Sequence, residues 1–242
     1  MLEGLYSAGA GMETAQSQLD TIANNMANEN TPGYQSELLG FHDLLYTTDN
    51  ASPSNAIVGA GSAATTLGFS QAQGSLQQTG NPLDVALNGP GYLQVRQPDG
   101  QTGLTRNGTL QINAQGQLTT SLGMELVPPI TLPKGTQPAD VSISSDGTVS
   151  VRNTKVGQIP IVQVSAPDKL LPQGNSVFAT TTASGPAQKA RGVTMQQGYL
   201  EQSNVDINTE ISEMMSAQQA YQMGSKAVQM EAQLGQIAAT LK

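Results

Sequence analysis

The two ends of the chain share one spacing of apolar side chains, which alternates steps of four and three residues. The N-terminal repeat runs through Met1, Leu5, Ala8, Met12, Ala15, Leu19, Ile22 and Met26. The C-terminal repeat runs through Ala220, Met223, Ala227, Met230, Leu234, Ile237 and Leu241. This spacing places the side chains of each repeat on one stripe of an α-helix, and such a stripe needs another helix to cover it. It predicts helices over residues 1–28 and 206–241, in a chain that joins neighbours rather than holds a substrate.

The C-terminal helix is predicted to present more than one face. Its first half carries a separate apolar set, Ile207, Ile211, Met214 and Tyr221. The phase of the pattern then shifts near Tyr221. We expect the N-terminal stripe through Leu19 and Met26 to pack against the C-terminal stripe through Met223 and Met230, within the chain or with a neighbour.

Local signals mark a boundary of each predicted helix. Thr31-Pro32-Gly33 ends the first helix, because the residue before a proline is pushed towards extended geometry and glycine permits a turn. Asp206 or Asn208 is the expected N-cap of the second helix, and Glu210 suits the positive end of its dipole.

Between the helices, the period of the apolar pattern changes to two. The alternating pairs are Leu93 and Val95, Leu110 and Ile112, Val141 and Ile143, Val149 and Val151, and Val162 and Val164. Turn signals lie between them at Pro98-Asp99-Gly100, Asn107-Gly108, Gln115-Gly116 and Asp146-Gly147. Asn-Gly and Asp-Gly tolerate the positive φ angles of hairpin turns. The pattern predicts a compact, mostly antiparallel β domain of short strands, with a further short strand near Leu67–Phe69.

Together these elements predict an α+β fold: a central, mostly antiparallel β domain with N- and C-terminal α-helices that pair as a coiled coil. The expected segments are residues 1–46, the N-terminal helix with its adjoining motif; 47–82, an extended connector; 83–198, the middle β domain; and 199–242, the C-terminal coiled-coil helix.

Charge narrows the classes of partner. The chain of 242 residues has a net charge of −8, and its first 95 residues hold eight acidic and no basic residues. Phosphate binding needs clustered Lys and Arg, so nucleic acid is not an expected partner. The basic start of a signal peptide is missing, and no apolar run is long enough to span a membrane. We expect no membrane insertion, and either a cytoplasmic protein or export without a cleaved signal peptide.

No residue pattern predicts catalysis, a cofactor or a metal. There is no Cys, and His42 is the only histidine. A metal site normally needs three or four clustered ligands, so we interpret His42 as a surface or packing residue. The alternation of Asp206, Asn208 and Glu210 lacks the central glycine and final glutamate of a calcium loop, and helix capping explains it better.

Two terminal motifs resemble those of bacterial flagellar rod and hook proteins. The first runs from Leu19-Asp20-Thr21-Ile22-Ala23-Asn24-Asn25-Met26-Ala27-Asn28 to Asn30-Thr31-Pro32-Gly33-Tyr34. The second is Gly198-Tyr199-Leu200-Glu201-Gln202-Ser203-Asn204-Val205-Asp206, continued by Gln218-Gln219-Ala220-Tyr221-Gln222-Met223. Between them, Pro82-Leu83-Asp84-Val85-Ala86-Leu87 and Thr105-Arg106-Asn107-Gly108 are similar to the middle domain of the same family. Gln35 and Gln219 stand where that family often has basic residues.

The resemblance implies a structural, non-enzymatic subunit of the flagellar basal-body rod, exported through the flagellar export apparatus without a cleaved signal peptide. Implied partners are copies of itself, other flagellar rod and hook subunits, and the export apparatus. Phe41-His42-Asp43-Leu44-Leu45-Tyr46 resembles the distal-rod type, with the proximal type still open. Alternatives are a hook-type axial subunit and a monomeric secreted carbohydrate-binding or enzyme domain.

The stripes and the resemblance define two sets of residues. The expected assembly interface is Leu5, Met12, Leu19, Ile22, Met26, Ile207, Ile211, Met214, Tyr221, Met223, Met230, Leu234, Ile237 and Leu241. The family signature is Asn24, Asn25, Asn28, Thr31, Gly33, Tyr34, Ser203, Asn204 and Val205.

Overall fold

The computed structural model describes residues 2–44, 46–48, 57–59 and 61–240. Helix α1 spans Leu2–Ala27 and helix α2 spans Ile207–Thr240, close to the predicted bounds. Strands lie between them, as the period-two pattern predicted. The α+β class is therefore confirmed: one helix lies near each end of the chain, and a mostly antiparallel β domain separates them in the sequence.

The chain divides into two compact units. The first, here called the helical unit, comprises residues 1–27, 37–67 and 206–242. The second, here called the β unit, comprises residues 28–36 and 68–205. The chain therefore passes between units after residues 27, 36, 67 and 205.

In the helical unit, α1 contacts α2 and is accompanied by short strands. These strands are β1 (Glu37–Asp43), β2 (Tyr46–Thr48), β3 (Ile57–Gly59) and β4 (Ser62–Phe69), whose last residues belong to the β unit. Strand β1 pairs with β4, and β2 pairs with β3. Ala15 and Ile22 of α1 are buried, as is Ala217 of α2. The strand expected near Leu67–Phe69 is present as the end of β4.

The β unit contains the remaining strands. They are β5 (Leu76–Gln78), β6 (Val85–Asn88), β7 (Tyr92–Arg96), β8 (Thr102–Thr105), β9 (Leu110–Ile112), β10 (Leu118–Thr120), β11 (Glu125–Leu126), β12 (Val141–Ile143), β13 (Thr148–Val151), β14 (Thr154–Gln158), β15 (Ile161–Gln163), β16 (Leu171–Pro172), β17 (Val177–Ala179), β18 (Gln188–Lys189), β19 (Thr194–Gln197) and β20 (Tyr199–Glu201). The largest sheet has the order β16-β17-β8-β7-β11-β10-β9, with β15 bridging β7 and β18. Separate sheets are β12-β13-β14, β19-β6 and β20-β5.

Alternating side chains of these strands form two apolar cores. The larger one includes Leu93, Val95 and Val149. The smaller one includes Tyr92 and Phe178, with Phe69 packed edge-on against Phe178 at 4.9 Å between ring centroids. On β7, Leu93 and Val95 face the larger core and Tyr92 faces the smaller one. Successive side chains of a strand point to opposite sides of the sheet, which explains the predicted spacing of two between Leu93 and Val95.

Three predicted hairpin turns are confirmed and one is wrong. Gly100, Gly116 and Gly147 adopt positive φ in turns between paired strands. The strands that flank Asn107-Gly108 are not paired with each other: β8 pairs with β7 and β17, and β9 pairs with β10. Asn107 instead accepts the backbone N–H of Thr109 at 3.0 Å, and a side chain on Gly108 would collide with the Val85 carbonyl oxygen. A close backbone approach, rather than a hairpin, therefore requires the glycine.

Candidate functional site

Two apolar strips lie exposed on α2. The first strip, defined here as Ile207, Ile211 and Met215, follows a four-residue spacing on the first half of the helix. The second strip, defined as Met223, Met230 and Leu234, lies on the second half, and these side chains are 65%, 59% and 60% exposed. At 3.6 residues per turn the strips are roughly a third of a turn apart. Met215 takes the place of Met214 and Tyr221 of the predicted first set, because Met214 is half-buried and Met215 is exposed.

A different face of α2 meets α1. A Cβ added to Gly224 would lie 2.6 Å from Met12 Cγ, so Met12 occupies the space beside this glycine. Ala217 is fully buried. Ala217 and Gly224 have small side chains, which allows α2 to approach α1 closely. Met223 and Met230 are exposed to solvent instead. The expected pairing of Met223 and Met230 with Leu19 and Met26 therefore does not form within the chain.

The residues of the expected assembly interface are divided between buried and exposed positions. On α1, Leu5, Met12, Leu19 and Met26 are half-buried and Ile22 is buried. On α2, Met214 is half-buried, and Ile207, Ile211, Tyr221, Met223, Met230 and Leu234 are exposed. Leu241 lies outside the described residues, as does Met1 of the N-terminal repeat, and for Ile237 only its place in α2 is described.

Asn25 of the family signature connects three elements of the helical unit. Its Oδ1 accepts the backbone N–H of Glu37 at 2.9 Å, and its Nδ2 donates to the Glu37 carbonyl oxygen at 3.2 Å. Its Nδ2 also donates to Glu210 Oε1 at 3.0 Å. Asn25 is 3% exposed. One buried amide thus holds the end of α1 to β1 and to the first turn of α2.

Asn204 has the corresponding role in the β unit. Its Oδ1 accepts the backbone N–H of Ser36 at 2.8 Å. Its Nδ2 donates to the carbonyl oxygens of Ser70 and Ala72 at 3.2 and 2.8 Å. The two signature asparagines therefore bind the consecutive backbone amides of Ser36 and Glu37, each within its own unit.

Gly33 is fixed by its surroundings. It has a φ of +70°, and a Cβ there would lie 2.5 Å from the carbonyl carbon of Arg106. Its N–H donates to the Glu201 carbonyl oxygen at 2.8 Å. Neither the backbone angle nor the space accommodates a side chain. The expected turn at Thr31-Pro32-Gly33 is therefore a contact point between three segments of the β unit.

A buried ion pair lies at the same place. Arg106 Nε donates to Glu201 Oε2 at 2.9 Å, and the side chains are only 2% and 4% exposed. Glu201 Oε1 also accepts the Gly74 N–H at 3.1 Å, and Arg106 Nη2 donates to the Gly89 carbonyl oxygen at 3.2 Å. Burial raises the pKa of Glu201, while the Arg106 charge and hydrogen bond lower it. Sequence reasoning did not assign these two residues a role, although both lie in the motifs that carried the resemblance.

An aromatic and amide group borders the ion pair. The Arg106 guanidinium carbon lies 5.8 Å from the centroid of the Tyr92 ring. The Tyr92 hydroxyl contacts the side-chain oxygens of Gln35 and Gln71 at 3.1 and 3.0 Å. Burial raises the pKa of Tyr92. Gln35, which departs from the basic residue that the family often has there, is thus a buried member of this network.

The other signature residues shape the local backbone. Thr31 Oγ1 donates to Asn28 Oδ1 at 3.2 Å, and Tyr34 N–H donates to the Thr31 carbonyl oxygen at 3.2 Å. Ser203 Oγ accepts the Val205 N–H at 3.3 Å. Asn24 lies exposed on α1. The N-cap of α2 is Asp206, whose Oδ1 accepts the Asn208 N–H at 2.9 Å.

The side chains that could bind a metal do not form a cluster in the described residues. His42 is exposed on β1. In the described part of the chain, no group of three or more His, Cys, Asp or Glu side chains could hold a metal ion. Across the same ranges, no helix is both long and apolar enough to cross a membrane.

The chain matches three family descriptions in order along its length. Residues 5–35 match "Flagella basal body rod protein", and residues 86–151 match "Flagellar hook protein FlgE/F/G D1 domain". Residues 196–241 match "Flagellar basal body rod FlgEFG protein C-terminal". The first and third of these matches contain the signature asparagines and much of both helices.

Curated relatives are similar over nearly the whole chain. The flagellar basal-body rod protein FlgG of Agrobacterium fabrum is 36% identical over 250 residues, covering 94% of each chain. FlgG of Borreliella burgdorferi is 35% identical over 266 residues, covering 100% of this chain and 99% of its own. The rod protein FlgF of Caulobacter vibrioides is 30% identical over 246 residues, covering 98% and 97%.

The terminal helices that contact each other, the β domain that separates them in the sequence and the three matches in family order point to the class of flagellar axial proteins. Given these relatives, the chain belongs to the flagellar basal-body rod protein family. It is a structural subunit of the rod in the flagellar basal body, a part of the motility apparatus.

Proposed function

We propose that the chain builds the rod wall by covering its α2 strips with helices of neighbouring copies, and that the resulting stiff tube transmits torque. The observation that carries this proposal is the exposure of the second strip. Three large apolar side chains on one helix face, each about 60% exposed, are costly in water and need a partner. Copies of the same chain and other rod and hook subunits are the proposed partners.

The strips can supply the required association energy. Covering each side chain of the second strip contributes roughly 1–2 kcal/mol, because full burial of such a side chain contributes about 1.5–3 kcal/mol. Ordering and association oppose this gain. Several strips per subunit, contacted by several neighbours, would then be needed for a stable wall.

Coiled-coil packing of the terminal helices belongs to the same proposal. The α2 face towards α1 follows its own four–three spacing, through Glu210, Met214, Ala217, Tyr221, Gly224, Val228 and Glu231. The fit of Met12 beside Gly224 supports a close, interlocking contact. The segments 1–46, 47–82, 83–198 and 199–242 remain our proposed functional division of the chain.

Three finer assignments are also proposals. The sequence Phe41-His42-Asp43-Leu44-Leu45-Tyr46, through its resemblance to the distal-rod type, supports a distal rather than proximal rod position. Export through the flagellar apparatus without a cleaved signal peptide is supported by family membership. A non-enzymatic role is supported by the scattered positions of its ionisable side chains.

The second candidate function, a monomeric carbohydrate-binding or enzyme domain, needs a suitable cleft in the β unit. A groove there has a volume of about 640 Å³ and is lined by residues that include Asp146, Pro160 and Lys189. The lining has one carboxylate and no aromatic ring. Glycoside hydrolysis normally uses a pair of carboxylates. The groove therefore favours the structural role.

The test replaces the second strip. Met223→Ala, Met230→Ala and Leu234→Ala together remove apolar surface and keep helix propensity. The matched control changes three exposed glutamines on the same half of α2, in Gln222→Ala, Gln229→Ala and Gln233→Ala. Sedimentation and electron microscopy of concentrated full-length protein measure assembly, and circular dichroism measures helix content. We expect the strip variant to stay monomeric while the control assembles; equal assembly of both would refute the proposal.

A further inference from the structure

The net charge of the chain lies entirely in one unit. The helical unit contains ten acidic and two basic residues, a formal charge of −8. The β unit contains eight of each sign and is neutral. The part of the chain that carries the assembly strips is therefore also the part whose copies repel one another.

Five carboxylates among the described residues of the helical unit are exposed, and they lie on both helices and on β1. Glu13 and Asp20 are exposed and seven residues apart, so they lie on one outer face of α1. Asp206 and Glu213 are exposed on α2. Among the described residues of this unit, Lys226 is the only lysine or arginine.

In contacts between copies, the apolar strips therefore favour association and the carboxylates disfavour it. Apolar attraction acts at contact and depends little on salt, whereas repulsion between charges extends over the Debye length. That length is about 30 Å at 0.01 M salt, longer than a helix is wide, and about 8 Å at 0.15 M. When two helical units are in contact at low salt, most of their charges repel one another. At high salt, screening limits the repulsion to the carboxylates nearest the contact.

We propose that association between copies through the helical unit is limited by carboxylate repulsion, so that cations in solution control assembly by screening it. This inference rests on the proposed self-assembly and adds its regulation. It predicts that salt strengthens the contact, the opposite of an interface held together by ion pairs.

The experiment compares two full-length variants with the same net charge of −5. One removes three exposed carboxylates of the helical unit with Glu13→Gln, Asp20→Asn and Glu213→Gln, which lowers the charge of that unit from −8 to −5. The other neutralises three exposed carboxylates of the β unit with Asp99→Asn, Asp146→Asn and Asp168→Asn. Sedimentation velocity at pH 7.5 in 20 and 500 mM NaCl measures the association constant, and circular dichroism checks that the folds match.

We expect wild-type association to strengthen at least about tenfold between the two salt concentrations. At 20 mM NaCl the helical-unit variant should associate more strongly than the wild type, and the β-unit variant should follow the wild type. Equal behaviour of the two variants, or association that weakens with salt, would overturn the inference. If wild type and variants all stay monomeric at both salt concentrations, the proposed self-assembly fails first and this inference fails with it.

Discussion

At the scale of single residues, the two signature asparagines act through hydrogen bonds to the backbone, Asn25 from a buried and Asn204 from a half-buried position. Asn25 satisfies both backbone groups of Glu37 with one amide, and Asn204 binds the preceding backbone amide and two carbonyl groups. Buried polar groups are costly when left without partners. The two terminal motifs therefore also supply the side chains of tertiary hydrogen bonds.

A comparison of Gly33 with Gly80 separates the cost of a steric collision from the cost of a strained backbone angle. We expect Gly33→Ala to destabilise the β unit by more than about 2 kcal/mol, because the Cβ meets the Arg106 backbone and a positive φ is also strained. Gly80 has a similar φ of +73°, but nothing lies within 4 Å of its added Cβ. Gly80→Ala should therefore cost only the backbone strain, about 1 kcal/mol. Urea denaturation of both variants measures the difference, and equal losses would contradict the steric argument.

The Arg106–Glu201 pair predicts an asymmetry between single and double variants. Glu201→Ala leaves a guanidinium buried without its partner and should cost about 3–5 kcal/mol. Arg106→Met combined with Glu201→Leu should recover much of this loss, since a buried pair can be replaced by apolar side chains of similar size.

The control for this pair is the exposed bridge between Arg152 and Asp140, which also has a distance of 2.9 Å. Arg152→Ala, which removes the 71% exposed partner, should cost far less than Glu201→Ala, because water screens exposed pairs. A double variant as unstable as Glu201→Ala alone would show that apolar replacement does not compensate.

At the scale of elements, α2 divides its surface among different tasks. Asp206 caps it, Ala217 and Gly224 face inward, and two strips lie exposed on other faces. Glu210 adds a half-buried carboxylate in its first turn, held by Asn25. The helix thus contacts α1 on one face and leaves two apolar strips exposed on others.

Glu210 predicts a pH dependence of stability. Burial raises its pKa above the ordinary value of 4.5; the Asn25 hydrogen bond lowers it and the nearby charge of Glu213 raises it. A carboxyl with a raised folded-state pKa contributes stability that is fully present below its unfolded pKa and is lost as the pH rises through the folded value. Glu210→Gln keeps an oxygen that can accept from Asn25 and removes the charge.

We therefore expect Glu210→Gln to be more stable than the wild type at pH 8, with the difference shrinking towards pH 4. Urea midpoints at both pH values measure it. Glu13→Gln, the same chemical change at an exposed position of α1, is the matched control. A Glu210→Gln variant that is less stable than the wild type at pH 8 would contradict the assignment of burial as the main cause.

At the scale of the whole molecule, each compact unit is built from segments that are not consecutive in the sequence. Residues 28–36 come directly after α1 but belong to the β unit, where Gly33 bonds Glu201 and the Ser36 carbonyl accepts the Ser70 N–H at 2.8 Å. The N-terminal signature therefore serves both units.

This organisation predicts the outcome of two truncations. A chain lacking residues 1–27 should keep a cooperatively folded β unit but lose assembly. A chain lacking residues 1–36 should lose several further kcal/mol, because it removes the Gly33 and Ser36 hydrogen bonds and uncovers buried Arg106. Circular dichroism during urea denaturation and sedimentation test both, and equal midpoints for the two truncations would show that residues 28–36 are dispensable for the β unit.

The sequence by itself determined the position of both helices, the Asp206 cap, most hairpin turns, the α+β class and the family, because these depend on local spacing and short motifs. Only the tertiary structure decided that Gly224 rather than Met223 faces α1, that Asn107-Gly108 is not a hairpin, and that Arg106 pairs with Glu201. The physical reason is the same in each case. A periodic pattern tells which side chains share a face, but α2 has several faces that could be covered. Which contacts form depends on steric fit and hydrogen bonds between residues that are 23 to 212 positions apart in the chain.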